Sequence, residues 1–286
     1  MKEYTTESIR NIALVGHSSS GKTMMAEAFL FFSGATTRMG KVEDGSTASD
    51  FDDEEIRRGL SLYTSLIPIE HKKTKLNFLD APGYTDFVGE VISALSVADS
   101  ALMLVDSLAG VEVGTEIAWR YCDEFKLPRA VVINKMDRDN ANLKKVMDSL
   151  EEFSEPRLIR LQLPWGERGD FKGVIDLLSN KAYEGDGKTA VEIPAEYADA
   201  VEEARMELIE AAAEGDDALL EKYFEGEELS NAEIIQGLKS VFLAGDYVPV
   251  FVSATANKLG VGPLLDTLVS LMPSPAERTT VIAQGA

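Results

Sequence analysis

The stretch GHSSSGKT, from Gly16 to Thr23, restricts the possible folds of this 286-residue chain more than any other part of its sequence. It stands between the apolar run NIALVG and the helix-like segment GKTMMAEAFLFF, which is the strand-loop-helix context that the pattern G-x-x-x-x-G-K-[ST] requires. Glycines let the backbone curl so that its N–H groups and the helix N-terminus face phosphate oxygens. A Gly/Ser-rich turn that only caps a helix is the simpler alternative, and the context favours a phosphate-binding loop.

Each residue of this loop suits one task at a triphosphate. We expect the backbone of Ser19, Ser20 and Gly21 to surround the phosphates. Lys22 would reach the β and γ phosphates, and the hydroxyl of Thr23 would bind Mg²⁺.

Strand-like and helix-like segments alternate along most of the chain. Between residues 11 and 153 the apolar runs NIALVG, KLNFLD, ALMLVD and RAVVIN are each followed by a helical pattern. This order predicts an α/β fold of the P-loop NTPase class, with a doubly wound, mostly parallel sheet flanked by helices. The polar stretch from Ser33 to Gly59 interrupts the alternation and is too long for an ordinary connection unless it is mobile or functional.

The regular alternation of strand-like and helix-like segments stops between residues 158 and 246. LIRLQLPW and FKGVIDLL are expected to be strands of a small separate sheet, and acidic amphipathic helices closed by glycines follow them. VPVFVS then returns to the pattern of a buried parallel strand. We therefore predict a main domain formed by residues 1–157 and 247–275, an inserted α+β subdomain at 158–246, and a linker at 276–286 towards further domains.

The stretch DAPGYTDF follows the apolar run LNFL, at the end of a predicted strand. A phosphate loop needs an acidic partner for its metal ion, and Asp80 suits that role. Gly83 lets a backbone N–H approach a γ-phosphate closely, so hydrolysis there would release the following segment. D-x-x-G alone is weak support, because Asp and Gly are common at strand ends.

INKMD closes a later buried strand and contains Asn134, Lys135 and Asp137. A carboxylate can accept two hydrogen bonds from the N1–H and N2–H₂ edge of guanine, whereas adenine has no matching pair of donors. The stem of Lys135 would lie on the base, and Ser253 and Ala254 would offer a backbone N–H to guanine O6. A helix cap would explain NKMD by itself. Four motifs in this order, each at the carboxyl end of a strand, indicate a site for GTP or GDP.

The charge balance limits the kinds of partner. The chain has 49 acidic and 28 basic residues and a net charge of -21, which argues against broad nonspecific attraction to nucleic acid or anionic lipid. Any RNA contact is therefore expected to be local. A single cysteine, Cys122, fits a reducing cytoplasm, and no stretch is typical of a membrane span or a signal peptide. We expect a cytoplasmic monomer without membrane contact, in which Cys122 is a small core residue.

Over nearly its whole length the sequence resembles the translational GTPases, and most closely elongation factor G. The resemblance rests on stretches such as RNIALVGHSSSGKT, DFDDEEIRRGLSL, NFLDAPGYTDFVGEV, VVINKMDRDNANL and QLPWGERGDFKGVIDLL. It implies that the insert is a G′ subdomain, that residues 33–60 form switch one and residues 80 to about 98 switch two, and that GTP is hydrolysed with Mg²⁺. It also implies a ribosomal partner, both large-subunit RNA and the stalk protein, for the full-length protein.

The departures from the family pattern concern hydrolysis. At the position of Tyr84 the family normally has a histidine that ribosomal RNA orients onto the attacking water. Tyrosine ordinarily has a pKa of about 10 against about 6.5 for histidine, so it cannot act as a protonated imidazole at neutral pH. By the resemblance, Tyr84 joins Gly83 and Lys22 as a catalytic residue, and Ser61 retains the hydroxyl for Mg²⁺ at the end of switch one. The pattern D-x-P-G-Y resembles the elongation factor G-like paralogues found in many bacteria.

Two interpretations of the activity stay open. In the first, the protein is a working GTPase that ribosomes stimulate through altered activation chemistry; in the second, it is a GTP-dependent ribosome binder with weak hydrolysis. Ribosomal-protection and release-factor-type GTPases share most of these motifs, and later domains would separate them. NKMD disfavours an ATP-using kinase, and the insert disfavours a signalling GTPase.

Overall fold

The described residues, 2–278, form two sheets and their flanking helices in the computed structural model. The strands are β1 (Ile9–Val15), β2 (Ser65–His71), β3 (Thr74–Asp80), β4 (Ser100–Asp106), β5 (Arg129–Asn134), β6 (Arg157–Arg160), β7 (Gln162–Trp165), β8 (Gly173–Asp176), β9 (Lys181–Glu184), β10 (Ala190–Val191) and β11 (Tyr247–Val252). The α-helices are α1 (Lys22–Phe32), α2 (Asp53–Arg58), α3 (Val88–Val97), α4 (Val113–Glu124), α5 (Leu143–Phe153), α6 (Ala198–Ala213), α7 (Asp217–Phe224), α8 (Asn231–Ala244) and α9 (Val261–Leu271).

The larger sheet has the strand order β2-β3-β1-β4-β5-β11-β6. Its neighbouring strands are parallel except for the antiparallel pair β2 and β3. This arrangement confirms the predicted α/β fold with a doubly wound, mostly parallel sheet. The sequence pattern missed β2, which contains Pro68; an edge strand tolerates proline because one of its sides needs no ladder hydrogen bonds.

β1 shows how helices cover both faces of this sheet. Ile12 and Leu14 lie in one hydrophobic cluster, and Ala13 and Val15 lie in the other, because successive residues of a strand point to opposite faces. Helices α1, α6, α8 and α9 contribute to the first cluster, and α3, α4 and α5 to the second. Cys122 is fully buried in the second cluster.

The stretch LIRLQLPW divides between the two sheets. Its first half lies in β6, which pairs with β11 at the edge of the larger sheet. Its second half is β7, which pairs with β8 in a smaller antiparallel sheet of order β10-β9-β8-β7. The prediction that the whole stretch lies in a separate sheet is therefore wrong for its first half. Leu161 joins the sheets, since its N–H donates to Val250 O at 2.9 Å and its carbonyl accepts from Leu177 N at 3.0 Å.

Of the predicted linker 276–286, residues 279–286 lie outside the described residues, and the division into domains stays a prediction. Between residues 2 and 278, none of the helices combines the length and the apolar composition that crossing a bilayer requires.

Candidate functional site

A cleft of about 640 Å³ opens where the loops after β1, β3, β5 and β11 meet. These loops are neighbours because parallel strands bring their carboxyl ends to one edge of the sheet. Most of the predicted site residues line the cleft: Ser19, Gly21, Lys22, Thr23, Ser61, Gly83, Tyr84, Asn134, Lys135 and Asp137. The others are buried: Ser20, Asp80, Ser253 and Ala254.

Two glycines let the phosphate loop approach its neighbours closely. A Cβ on Gly16 would lie 2.3 Å from Leu104 O, and a Cβ on Gly21 would lie 2.3 Å from Asn134 Nδ2. Both glycines also have positive φ angles, 136° and 102°. Residues with a side chain rarely adopt a positive φ angle. The loop can therefore contact β4 and the NKMD motif this closely only with glycine at both positions.

The ammonium of Lys22 is buried under the phosphate loop. Its Nζ donates to Gly16 O at 3.1 Å and to His17 O at 2.8 Å. Burial lowers the pKa of Lys22 to about 8, while the nearby carboxylates of Asp80 and Asp50 act to raise it. The loop therefore holds a positive charge beside the backbone that is predicted to face the phosphates.

Asp80 ends β3 and is only 1% exposed. Neither of its carboxylate oxygens has a hydrogen-bond partner among residues 2–278. Burial raises the pKa of Asp80 to about 6, and the charge of Lys22 opposes that rise. Buried polar groups are normally paired, so this unsatisfied carboxylate fits a site for a cation.

The hydroxyls of Thr23 and Ser61 lie 3.3 Å apart although the two residues are 38 positions apart in the chain. Ser61 Oγ also donates to Asp50 Oδ1 at 2.7 Å, and burial raises the pKa of Asp50. These hydroxyls and carboxylates are the hard oxygen ligands that Mg²⁺ prefers, and the donor set fits that ion. Asp50 has no distinguishing signal in the sequence, because it is one of several aspartates in a polar stretch.

Asn134 connects three parts of the cleft. Its Nδ2 donates to Ser20 O at 2.9 Å. Its Oδ1 accepts hydrogen bonds from Ser253 Oγ at 3.0 Å, Thr255 N at 3.1 Å and Thr255 Oγ1 at 2.9 Å. All of these contacts are buried, so Asn134 holds the phosphate loop against the loop that follows β11.

The two charged side chains of the NKMD motif each have a partner outside the motif. Lys135 Nζ lies 2.6 Å from Asp106 Oδ2, at the end of β4. Asp137 Oδ2 accepts a hydrogen bond of 2.6 Å from Asn257 Nδ2. Neither Asp106 nor Asn257 can be predicted from the motif, because both lie elsewhere in the chain.

The backbone N–H groups of Ser253 and Ala254 are used within the protein. Ser253 N donates to Ile133 O at 2.9 Å, and Ala254 N donates to Leu259 O at 3.1 Å. On this side the cleft is lined by Thr255 and Ala256 instead. The expected bond from Ser253 or Ala254 to guanine O6 stays a prediction, and it would require one of these internal bonds to open.

Gly83 and Tyr84 line the cleft, and Gly83 lies against the phosphate loop. A Cβ on Gly83 would lie 2.4 Å from Lys22 Nζ and 2.7 Å from Ser18 Cα, so only glycine brings this backbone so close to the phosphate loop. Tyr84 lines the same cleft and is 45% exposed. Its phenol is therefore accessible from outside the protein.

The segment predicted as switch one, residues 33–60, is attached to the helix behind the phosphate loop. The carboxylate of Glu27 in α1 accepts hydrogen bonds from Gly40 N at 2.7 Å and from Ala48 N at 2.5 Å. Glu27 itself is 2% exposed. This buried carboxylate connects the segment to α1 at two points.

The chain matches known proteins in sequence and in fold. The profile of the family described as "Elongation factor Tu GTP binding domain" matches residues 7–274. A crystal structure of a protein from Thermus thermophilus matches with a TM-score of 0.88 and 38% sequence identity. That match covers 95% of this chain and 41% of the other, so this chain spans less than half of the length of that relative.

Proposed function

This chain belongs to the family of elongation factor Tu GTP binding domains, and from that membership we propose that it binds and hydrolyses GTP in a translation factor similar to elongation factor G. Its ligands would be GTP or GDP with Mg²⁺. One observation carries the proposal: Lys22 and Asp137 line the same cleft, the former suited to a triphosphate and the latter to the donor edge of guanine. In this proposal the insert at 158–246 is a G′-like subdomain, and the protein is a cytoplasmic monomer.

Nucleotide binding would depend on the charge and the hydrogen-bond donors of the phosphate loop. The N–H groups from Ser19 to Thr23 and the ammonium of Lys22 would hold the phosphates. Thr23, Ser61 and Asp80 would hold Mg²⁺, which neutralises charge on the phosphates when it is bound. The unpaired, buried carboxylate of Asp80 supports this assignment.

Hydrolysis needs an aligned water and stabilisation of the charge that develops on the γ-phosphate. The backbone N–H of Gly83 and the ammonium of Lys22 would stabilise that charge. The Tyr84 hydroxyl can orient a water through a hydrogen bond, but a phenol supplies no cation at neutral pH. We therefore expect slow hydrolysis by this domain alone and faster hydrolysis when the ribosome's large-subunit RNA and stalk protein are bound.

A second candidate function is a GTP-dependent ribosome-binding switch with weak hydrolysis, and Tyr84 is the residue that favours it. Phosphate release from the full-length protein, measured with and without ribosomes, separates the two candidates. Strong stimulation by ribosomes would support the first, and GTP-dependent ribosome binding without stimulation would support the second.

The guanine assignment is tested by Asp137→Asn. The variant should bind GTP and GDP at least about tenfold more weakly, because it loses a charged acceptor of two base donors, and it should discriminate less against other purines. Titration with GDP, IDP and ADP measures this. Asp139→Asn removes an exposed carboxylate of the same loop and is the matched control. An unchanged order of affinities in Asp137→Asn would contradict the assignment.

A further inference from the structure

The carboxylate of Asp137 has a partner 120 positions away in the chain. The side-chain amide of Asn257 donates a hydrogen bond of 2.6 Å from Nδ2 to Asp137 Oδ2. Asn257 closes a short 3-10 turn, Thr255–Asn257, which follows β11. The contact therefore joins the loop after β5 to the loop after β11.

The turn that carries Asn257 is fixed by its own hydrogen bonds. Asn257 N donates to Ala254 O at 3.0 Å, and Lys258 N donates to Thr255 O at 2.9 Å. The backbone N–H and the hydroxyl of Thr255 both donate to Asn134 Oδ1, at 3.1 Å and 2.9 Å. One turn therefore holds both the first and the last residue of the NKMD motif.

We propose that Asn257 is a specificity-determining residue that orients the Asp137 carboxylate towards the donor edge of guanine. The inference rests on the proposed function of the cleft. Each carboxylate oxygen has about two accepting positions, so Oδ2 can accept from Asn257 and from one base donor while Oδ1 accepts from the other. Asn257 is exposed and Asp137 is half-buried, so the bond between them contributes more to the direction of the carboxylate than to the stability of the fold.

Asn257→Ala tests this role. We expect GDP affinity to fall about tenfold, the size expected for losing one hydrogen bond to a charged group. The affinity for ADP should not change, and the preference for GDP over IDP, which lacks the 2-amino group, should fall. Competition titrations against a fluorescent guanine nucleotide give all three affinities. Asn257→Asp should weaken GDP binding further, because it replaces the donor with a second negative charge.

Asn231→Ala, at an exposed asparagine outside the cleft, is the matched control and should bind all three nucleotides as the wild type does. Thermal unfolding checks that each variant is folded, and Asn257→Ser carries the same expectation should the alanine variant lose its fold. Unchanged GDP affinity and unchanged GDP-to-IDP preference in Asn257→Ala would overturn the inference. If the wild type binds GDP and Asp137→Asn loses selectivity, unchanged binding by Asn257→Ala refutes only the role of Asn257. If the wild type does not bind GDP, the proposed function itself is refuted.

Discussion

The Oε2 atom of Glu27 lies 2.7 Å from the backbone nitrogen of Gly40 and accepts its hydrogen bond. The same carboxylate accepts from Ala48 N, so a helix that begins in the phosphate loop holds two points of the segment 33–60. Burying a carboxylate is costly unless hydrogen-bond donors face it, and these two backbone N–H groups are such donors for Glu27. The attachment therefore fixes two points of the segment that immediately precedes Ser61.

Glu27→Ala should release this segment. We expect trypsin to cleave after the exposed residues Arg38 and Lys41 about tenfold faster than in the wild type, because the opened form becomes more populated. Time courses of cleavage, followed by mass spectrometry, measure the rate at each site. Glu54→Ala removes a carboxylate that pairs with Arg57 and Arg58 on the surface of the same segment, and it should leave cleavage at the two sites unchanged. Equal rates in Glu27→Ala and the wild type would contradict the attachment.

The buried Asp80 predicts a pH dependence of stability. Burial raises its pKa from the usual 3.8 to about 6, so between these values the folded protein keeps a proton that the unfolded chain has released. The stabilisation from this group is complete below pH 4 and is lost as the pH rises through about 6. Asp80→Asn, which never ionises, should therefore be more stable than the wild type at pH 7, by about 3 kcal/mol without metal or nucleotide, and nearly equal at pH 4.

Urea unfolding at pH 4 and pH 7, with EDTA present, measures this difference. Added Mg²⁺ and GDP should then stabilise the wild type more than Asp80→Asn, since the carboxylate would be lost as a ligand. A stability difference that is the same at both pH values would show that Asp80 does not titrate in this range.

Gly83→Ala should weaken GTP binding more than GDP binding. The added Cβ would lie 2.4 Å from Lys22 Nζ and must displace either the ammonium or the loop, at the end of the cleft where a γ-phosphate would lie. We expect the ratio of GTP to GDP affinity to fall by about tenfold, as measured by equilibrium titration. Gly89→Ala, where a Cβ meets no atom within 4 Å, is the control and should bind both nucleotides normally. A ratio that Gly83→Ala leaves unchanged would argue against this placement of the γ-phosphate.

Tyr84→His in the full-length protein should raise ribosome-stimulated phosphate release by about tenfold, because an imidazole can carry a positive charge near neutral pH and a phenol cannot. Tyr84→Phe removes only the hydroxyl and should be slower than the wild type if that hydroxyl orients water. Single-turnover phosphate release with saturating ribosomes gives the rates. Equal rates for tyrosine and histidine would show that Tyr84 does not limit hydrolysis.

The sequence predicts that the motif residues meet at one cleft, and most of them line it for a physical reason. The motifs at 16–23, 80–84 and 134–137 are contiguous, and each follows a parallel strand, so the direction of the strands alone brings them to one edge of the sheet. The strand pattern was less informative for LIRLQLPW, because alternation of apolar residues predicts a strand but does not say which strand it pairs with.

Sequence patterns do not reveal the residues that contact the motifs from distant positions in the chain. Asp50 contacts Ser61 and Asn257 contacts Asp137 through single polar bonds, which leave no periodic or compositional trace. Glu27, in contrast, does have a signal in the sequence, because it is the only charged residue in the run TMMAEAFLFF after Lys22. An isolated charge on a helix that is otherwise apolar indicates a buried group with a partner.

Helix α8 limits how far this domain could be reduced in size. Parallel neighbours such as β6 and β11 cannot be joined by a tight turn, and the stretch 161–246 is the crossover between them. Within that stretch, Leu238 and Phe242 of α8 share a hydrophobic cluster with Ile12 and Phe29. A shortened version of the domain would therefore have to keep α8 packed on this face of the larger sheet, because removing the whole crossover would expose Ile12 and Phe29 to water.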